Sequence, residues 1–248
     1  MMNKLEGKII LVTGGSGLLG KAMLKHIVEN GGIAINGDVS ATDDIQNGVL
    51  SLDVTNFASI KKCVDTIIDY YGRIDGLVNN AYPRTKDWSN KFEDVTIESW
   101  RKNVDIQLNS VFEITQLVLS KMVTQKNKGA IVNIASIYGV LGNDFTVYEG
   151  TNLTSPAAYA AIKGGIVNFT KYLASYYGPQ QIRVNCVSPG GIFNHQPTTF
   201  VENYEKKVPL QRMGMPEDIA PAVSFLLSEE AKYITGHNIM VDGGWSII

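Results

Sequence analysis

A glycine-rich turn between a short apolar strand and a helical pattern constrains the fold of this chain more than any other feature. Residues 8–13 are apolar, as is typical of a buried strand, and residues 17–30 repeat apolar positions with helical spacing. The glycines of the turn at 13–20 allow a tight bend and a close approach of the backbone to a pyrophosphate. The first helical turn offers free N–H groups and the positive end of its dipole. The placement of the turn between a strand and a helix therefore predicts a dinucleotide-binding sheet.

Short β-branched runs alternate with longer helical patterns along the rest of the chain. Further strands are predicted at residues 32–37, 49–52, 74–79, 130–135, 182–187 and 238–241. Further helices are predicted at residues 56–71, 97–125, 156–177 and 216–228, with a loop-rich stretch at 189–215. The alternation predicts an α/β fold, a Rossmann-like doubly wound parallel sheet of about seven strands with helices on both faces. Because no linker-like composition or internal repeat divides the chain, residues 1–248 are predicted to form a single domain, with ligand at the carboxyl ends of the strands.

Composition narrows the classes of partner. The 248 residues are 44% hydrophobic, which is enough for one sizeable core, and the formal net charge is only -2. With charges of both signs scattered, no basic field is present to attract nucleic acid or an anionic membrane. The apolar runs are too short to span a bilayer, and residues 1–15 lack a signal-peptide pattern. We therefore expect a cytoplasmic protein that acts on a small molecule, with no nucleic-acid or membrane partner.

The cysteines and histidines predict neither a disulfide nor a metal site. Cys63 and Cys186 lie in apolar-periodic segments, which favours buried free thiols over a disulfide. The histidines at 26, 195 and 237 are far apart and have no ligand spacing, so no metal is expected.

An acidic residue follows the glycine turn at the distance expected for ribose recognition. Asp38 lies at the end of the second predicted strand, 18 residues after Gly20. A carboxylate there accepts both adenosine-ribose hydroxyls and repels the 2′-phosphate of NADP, and no Arg or Lys lies between Gly31 and Gln46 to neutralise that phosphate. The sequence therefore predicts NAD rather than NADP, against the alternative that Asp38 is only a turn residue.

A tyrosine and a lysine on one predicted helix form a candidate acid/base pair. Tyr159 and Lys163 are four residues apart, so both side chains share one helical face. A nearby cation favours phenolate and lowers the pKa of tyrosine toward the working range of a general acid/base. Any helix can carry this pair by chance, so the spacing needs support from other motifs.

Those other motifs, in their order along nearly the whole chain, resemble the short-chain dehydrogenase/reductase family. The matching segments are TGGSGLLG (13–20), Asp38, Asp53-Val54, NNA (79–81), the strand ending at Ser136, YAAIK (159–163), RVNCVSPGGI (183–192), RMGMPEDIA (212–220) and ITGHNIMVDGG (234–244). The resemblance implies a single NAD(P)-binding Rossmann-fold oxidoreductase domain. It also implies a homo-oligomer, tetramer or dimer, assembled through the helices predicted at 97–125 and 156–177.

The resemblance also implies roles for individual residues. Tyr159 is expected to give the proton to the substrate oxygen during reduction, and Ser136 to hydrogen-bond the same oxygen. Lys163 is expected to hold the nicotinamide ribose and to lower the pKa of Tyr159. The residues expected to contact the cofactor are Gly14, Ser16, Leu18, Leu19, Asp38, Asp53, Val54, Asn80, Ala81, Tyr159, Lys163 and Ile192.

Some of these positions have structural alternatives. Ser136 is also compatible with a turn at a strand end. Asn79 is better interpreted as a tie between strands than as a reactive group. Asn185 and residues 241–244 are interpreted as architectural.

Three single residues depart from the family pattern. Leu18 stands where the short members usually have glycine, and Gln107 stands where a catalytic asparagine anchors a water in the proton relay. Because Gln107 keeps the amide but is one methylene longer, the proton relay is either altered or retained. Asn109 could take the place of the missing asparagine only if the helix register differs. Tyr82 replaces the glycine that ends the NNAG motif, and either narrows the pocket or packs in the core.

The fourth departure is an insertion. Ser136 and Tyr159 are 23 residues apart, about ten more than is common in the family, and the extra residues 142–155 are polar with aromatics. We interpret this segment as facing the substrate, against the alternative of a neutral surface insertion. Together with residues 191–208 it predicts a polar pocket rim; the rim residues are Asn143, Asp144, Glu149, Asn152, Asn194 and His195.

A polar rim favours a hydroxyl-rich substrate over a steroid or a long acyl chain. The leading hypothesis is therefore an NAD-dependent oxidoreductase that interconverts a secondary alcohol and a ketone on a sugar-like or nucleotide-sugar substrate. The alternatives are an epimerase or dehydratase that retains its cofactor and acts on an activated sugar, and a degenerate NAD-binding regulator.

Overall fold

A computed structural model describes residues 4–248 and contains a seven-stranded parallel sheet of order β3-β2-β1-β4-β5-β6-β7. The strands are β1 (Ile9–Thr13), β2 (Ile33–Asp38), β3 (Val49–Ser51), β4 (Gly76–Asn79), β5 (Ala130–Ile134), β6 (Arg183–Pro189) and β7 (Asn238–Val241). All five residues of β1 and all five of β5 are buried, as expected for strands covered on both faces. The predicted fold class is confirmed.

Helices cover both faces of the sheet. The helices are α1 (Leu18–Glu29), α2 (Phe57–Tyr71), α3 (Ile97–Val104), α4 (Ser110–Thr124), α5 (Ala157–Tyr177), α6 (Thr198–Glu205) and α7 (Pro216–Leu227). One core cluster joins the sheet to α2, α4 and the end of α5, and a second joins it to α1 and α7. None of the helices in residues 4–248 combines the length and apolarity needed to cross a bilayer.

Two predicted segments differ from the structure. The stretch predicted as loop-rich at 189–215 contains α6, which lacks a side-chain cap and is ordered by burial of Phe200 and Tyr204 on one face. The single helix predicted at 97–125 is interrupted by a π-helical segment, Asp105–Asn109, between α3 and α4. There the Ser110 hydroxyl donates to the Ile106 and Gln107 carbonyl oxygens, at 2.7 and 3.2 Å, and satisfies acceptors in the widened turn. Both differences depend on tertiary contacts or side-chain hydrogen bonds that apolar periodicity does not report.

A buried polar chain ties the central strands to the helix that carries Tyr159. Asn79 of β4 donates 2.8 Å hydrogen bonds to Thr115 Oγ1 and to Asn133 Oδ1 on β5. Asn133 in turn donates to Thr170 Oγ1 of α5, also at 2.8 Å. The interpretation of Asn79 as a tie between strands is therefore confirmed. The bond from Asn133 to Thr170 fixes α5 against β5, because two buried polar groups would lose this contact if the helix moved.

The cysteines agree with their prediction. Cys63 and Cys186 are buried free thiols. Burial raises the pKa of Cys63 to about 12 and that of Cys186 to about 11, so neither is a reactive thiolate.

Candidate active site

A cleft of about 940 Å³ follows the carboxyl edge of the sheet. It begins where the strand order reverses between β1 and β4, which is where open α/β sheets bind their ligands. Of the predicted site residues, those that line it are Gly14, Leu18, Leu19, Asp38, Asp53, Val54, Asn80, Ala81, Ser136, Tyr159, Lys163 and Ile192. Ser16 is the predicted site residue that does not line it.

The glycine turn is closed too tightly to accept side chains. Gly14 has φ +65°, and a Cβ added there would lie 2.9 Å from the Ala81 Cα. A Cβ on Gly20 would lie 2.3 Å from the Gly14 carbonyl oxygen. The turn is held to β4 by Asn80, whose Nδ2 donates to the Thr13 and Gly14 carbonyl oxygens at 3.0 Å each. This backbone cradle fits the pyrophosphate of a dinucleotide.

Asp38 lies at the end of β2 with its carboxylate facing the turn. One oxygen accepts from Ser16 N–H at 3.1 Å and the other from the Ser40 N–H and hydroxyl at 2.9 and 2.7 Å. Burial raises the pKa of Asp38, but the hydrogen bonds from Ser40 and Ser16 outweigh it, so the pKa lies below its usual value. Because a carboxylate has about four acceptor positions and these bonds use three, the charged group keeps one for a ribose hydroxyl.

Ser16 supports this site from behind. Its hydroxyl accepts from Asn36 Nδ2 at 3.1 Å, and its N–H is the donor to Asp38. Ser16 does not line the cleft, so its expected contact with the cofactor is not supported. Its hydrogen bonds position the Asp38 carboxylate instead.

The three residues of the candidate acid/base centre meet at the other end of the cleft. Ser136 follows β5, and Tyr159 and Lys163 lie on the first turns of α5. Ser136 and Lys163 are buried, with 5% and 8% exposure. Lys163 Nζ lies 5.6 Å from the centroid of the Tyr159 ring and donates to the Ile134 carbonyl oxygen at 2.8 Å.

The ionisation of this centre differs from the sequence prediction in one respect. Burial raises the pKa of Tyr159, and the Ser136 hydroxyl lowers it by a smaller amount. Burial also lowers the pKa of Lys163 to about 8. The expected lowering of the Tyr159 pKa by Lys163 is therefore not seen in the protein alone, because the ammonium hydrogen-bonds the Ile134 carbonyl and burial of the phenol dominates.

Tyr82 lies in the cleft wall and not in the core. Its ring packs edge-to-face against Tyr159 and Trp88, with centroid distances of 5.8 and 5.7 Å. Trp88 and Tyr159 complete the triangle at 6.3 Å. These three rings, Tyr82, Trp88 and Tyr159, form an aromatic cluster that we call the aromatic wall.

The insertion 142–155 contributes to the cleft through one aromatic side chain. Tyr148 lines the cleft and packs on Phe200 of α6, with ring centroids 5.4 Å apart. Asn203 Nδ2 of α6 donates to the Glu149 carbonyl oxygen at 3.0 Å, and Lys207 Nζ pairs with Asp144 Oδ2 at 2.7 Å. The insertion and α6 therefore pack together as one unit at the wall of the cleft, which we call the lid.

The predicted polar rim is largely wrong. Of its six residues only Asn194 lines the cleft. Asn143 hydrogen-bonds Ser155, Asp144 pairs with Lys207, and His195 packs against Phe193 with ring centroids 5.4 Å apart. These side chains serve contacts within the lid and its neighbouring loop, and the cleft is lined instead by side chains that the motifs did not indicate: Arg84, Tyr138, Gln196 and Tyr204.

Gln107 is buried with 4% exposure, and both atoms of its amide lack a hydrogen-bond partner among residues 4–248. It lies in the π-helical segment, whereas Asn109 is exposed and donates to Asp105 Oδ1 at 3.1 Å. Asn109 therefore does not replace the expected asparagine.

The architectural interpretation of Asn185 agrees with its contacts, since it donates to the Ile234 carbonyl oxygen at 2.9 Å and accepts from His237 N–H at 3.0 Å.

Comparison with known proteins places the chain among oxidoreductases. A family model described as enoyl-(acyl carrier protein) reductase matches residues 36–246. Post-translational flagellin modification protein A of Campylobacter coli is 34% identical, over 98% of this chain and 100% of that protein. A 3-oxoacyl-(acyl-carrier-protein) reductase of Thermotoga maritima is 35% identical, over 97% of this chain and 98% of that protein. The crystal structure of a short chain dehydrogenase from Leptospira borgpetersenii with bound NAD⁺ superposes with a TM-score of 0.89, at 37% identity, covering 99% of this chain and 95% of that one.

Proposed function

This chain belongs to the short-chain dehydrogenase/reductase family and is an oxidoreductase acting on CH–OH groups, and from that premise we propose that it uses NAD to interconvert a secondary alcohol and a ketone on a polar, sugar-like or nucleotide-sugar substrate. One observation carries the proposal. A single cleft joins the glycine turn and Asp38 at one end to Ser136, Tyr159 and Lys163 at the other.

The residues at the second end supply the proton chemistry. The cofactor, when bound, provides the site that accepts or donates hydride. Tyr159 takes the proton of the alcohol during oxidation and returns it to the oxygen during reduction, while Ser136 hydrogen-bonds the same oxygen. Lys163 would hold the nicotinamide ribose hydroxyls; it is buried beside the Tyr159 ring and bonded to the Ile134 carbonyl oxygen, and burial lowers its pKa to about 8.

Tyr159→Phe tests this assignment. The variant removes only the hydroxyl, so we expect NAD affinity to be retained and turnover to fall by about 10²-fold or more, the usual contribution of a positioned proton donor. The measurements are a fluorescence titration with NADH and a steady-state assay. Normal turnover by this variant would exclude the mechanism.

The preference for NAD is proposed from the Asp38 carboxylate. Its negative charge opposes a 2′-phosphate, and of the two cationic side chains that line the cleft, Lys163 and Arg84, neither lies at the Asp38 end. We expect NAD to bind at least about tenfold more tightly than NADP, and Asp38→Ala to reduce that difference. Equal affinities for the two cofactors in the unmodified protein would contradict the assignment.

The substrate class is proposed from the cleft lining. The hydroxyls of Tyr138, Tyr148 and Tyr204 and the Asn194 amide offer several donors and acceptors along an aromatic surface, whereas the Gln196 amide already bonds the backbone of Asn194 and Ile192. A panel of sugars, nucleotide sugars, β-ketoesters and hydroxysteroids, assayed for NADH formation or consumption, tests this class. Steady accumulation of NADH with one sugar distinguishes a dehydrogenase from an epimerase, which returns its hydride.

We further propose a cytoplasmic homo-oligomer, a tetramer or dimer, that associates through α4 and α5. Exposed aromatic side chains on these helices support it: Phe112 on α4 is 47% exposed, and Tyr172 and Tyr176 on α5 are 61% and 60% exposed. Sedimentation velocity measures the oligomeric state, and a monomer at micromolar concentration would contradict the proposal.

A further inference from the structure

The charged side chains that line the cleft are segregated by sign. There are four among residues 4–248: Asp38, Asp53, Arg84 and Lys163. Asp38 ends β2 and Asp53 follows β3, both at the glycine-turn end. The two cations lie at the Tyr159 end, where no carboxylate lines the cleft.

Arg84 belongs to the Tyr159 end through the aromatic wall. Its guanidinium carbon lies 5.2 Å from the centroid of the Tyr82 ring, which itself packs on Tyr159. The contact is a cation–π interaction that holds the guanidinium one ring away from the reacting hydroxyl.

The Arg84 charge is available, whereas the Lys163 charge is not. Lys163 is buried and hydrogen-bonded to the Ile134 carbonyl oxygen. Arg84 is exposed to the cleft and forms no ion pair or hydrogen bond within residues 4–248. A guanidinium presents a planar fork of N–H donors that matches a carboxylate or a phosphate, and both have the charge that this end of the cleft lacks.

We propose that Arg84 binds an oxyanion, a carboxylate or a phosphate, carried by the substrate, so that the preferred substrate is an anionic sugar and not a neutral one. The inference rests on the proposed function and adds the charge of its substrate. The oxyanion lies beside the aromatic wall, and the oxidised carbon lies at Tyr159, so the two groups belong to the same small molecule or to a sugar and its attached phosphate.

The test compares matched ligands on the enzyme–NADH complex. Glucose, galactose and mannose are each titrated beside their uronates and their 6-phosphates by isothermal calorimetry, with the unmodified protein, Arg84→Gln, Arg84→Lys and Arg101→Gln. Arg101 is an exposed arginine of α3 that does not line the cleft, so its variant removes the same charge from elsewhere.

We expect at least one uronate or phosphate to bind about tenfold or more tightly than its own neutral sugar, the usual size of a charge-assisted contact. The ratio should fall to about one in Arg84→Gln, persist in part in Arg84→Lys and remain unchanged in Arg101→Gln. The uronate and phosphate arms separate the two sources of the oxyanion. A preference that survives in Arg84→Gln, or no preference for any charged sugar, would overturn the proposal.

The NADH titration of the same variants guards against another role for Arg84. If Arg84 contacted the cofactor pyrophosphate, Arg84→Gln would weaken NADH binding by a similar factor, and that result would also overturn the proposal. Failure here is distinguishable from failure of the proposed function. If the protein oxidises neutral sugars and shows no preference for charged ones, only the anion site is wrong. If charged sugars bind in an Arg84-dependent way but never yield NADH, only the proposed sugar oxidoreductase function is wrong.

Discussion

At the glycine-turn end of the cleft, the site is built from backbone: carbonyls of the turn accept from Asn80, and the N–H of Ser16 donates to Asp38. At the Tyr159 end, it is built from side chains that come from segments far apart in sequence, the aromatic wall and the lid. The first end accommodates its charge by hydrogen bonds that favour the ionised carboxylate. The second buries a cation, Lys163, at a cost in free energy. The comparison shows that one end depends on closely packed backbone, and the other on contacts between side chains.

The difference in charge burial is tested by Lys163→Met. Lys163 has a pKa of about 8, against 10.5 when unperturbed, so between these values the unfolded state binds more protons and this group makes stability rise with pH. The free energy of unfolding of the unmodified protein, relative to the variant, should increase by about 3 kcal/mol across that window. Urea denaturation at several pH values measures it.

The difference in unfolding free energy between the unmodified protein and Lys163→Met cancels the contributions of cysteines and tyrosines that titrate in the same pH range. Lys171→Met is the control, because Lys171 is an exposed lysine of the same helix. A pH dependence of Lys163→Met indistinguishable from that of the unmodified protein would mean that Lys163 is not desolvated.

The close backbone packing of the glycine-turn end is tested by Gly20→Ala. The added Cβ meets backbone atoms that have no room to move, and we expect a loss of about 1–3 kcal/mol in stability together with weaker NADH binding. Calorimetric melting and a fluorescence titration measure the two effects.

Gly178→Ala is its matched control. A Cβ there has no atom within 4 Å apart from its chain neighbours, and its clash with the Pro179 ring in this αR conformation limits the expected loss to about 1 kcal/mol, less than for Gly20→Ala. If the two variants melt alike, the turn is not as constrained as its geometry indicates.

The Tyr159 end is tested by Lys207→Met, which removes the ion pair between the residues just after α6 and the insertion. Both side chains are partly exposed, so the effect on stability should be at most about 1 kcal/mol. The variant loosens the lid without touching the cofactor end, and we expect KM for the substrate to rise more than kcat changes, with NADH affinity retained.

Lys206→Met is the control, since Lys206 is adjacent, exposed and outside the ion pairs of residues 4–248. A larger effect on NADH affinity than on KM would show that the two ends are not independent.

The same contrast explains what could be predicted from the sequence. The glycine turn, Asp38 and the Tyr159–Lys163 pair are set by local spacing, and the structure brings them to one cleft as expected. Tyr148 packs in the cleft against Phe200, a partner distant in sequence, and Arg84 is held by the Tyr82 ring, a contact that no motif indicates. The polar rim failed for the same reason, since Asp144 has the right chemistry but its carboxylate is used by Lys207.

The π-helical segment Asp105–Asn109 has a consequence for the long helix that contains it. A wide turn holds one extra residue, which rotates everything after it by about 100° relative to a regular helix. Trp100 and Val104 before it pack toward α5, while Ile114 and Val118 after it pack toward the sheet and α2. The segment thus sets the rotation between the apolar face of α3 and the apolar face of α4. Deleting a single residue from it would turn the apolar face of α4 away from the sheet and α2 along the whole helix.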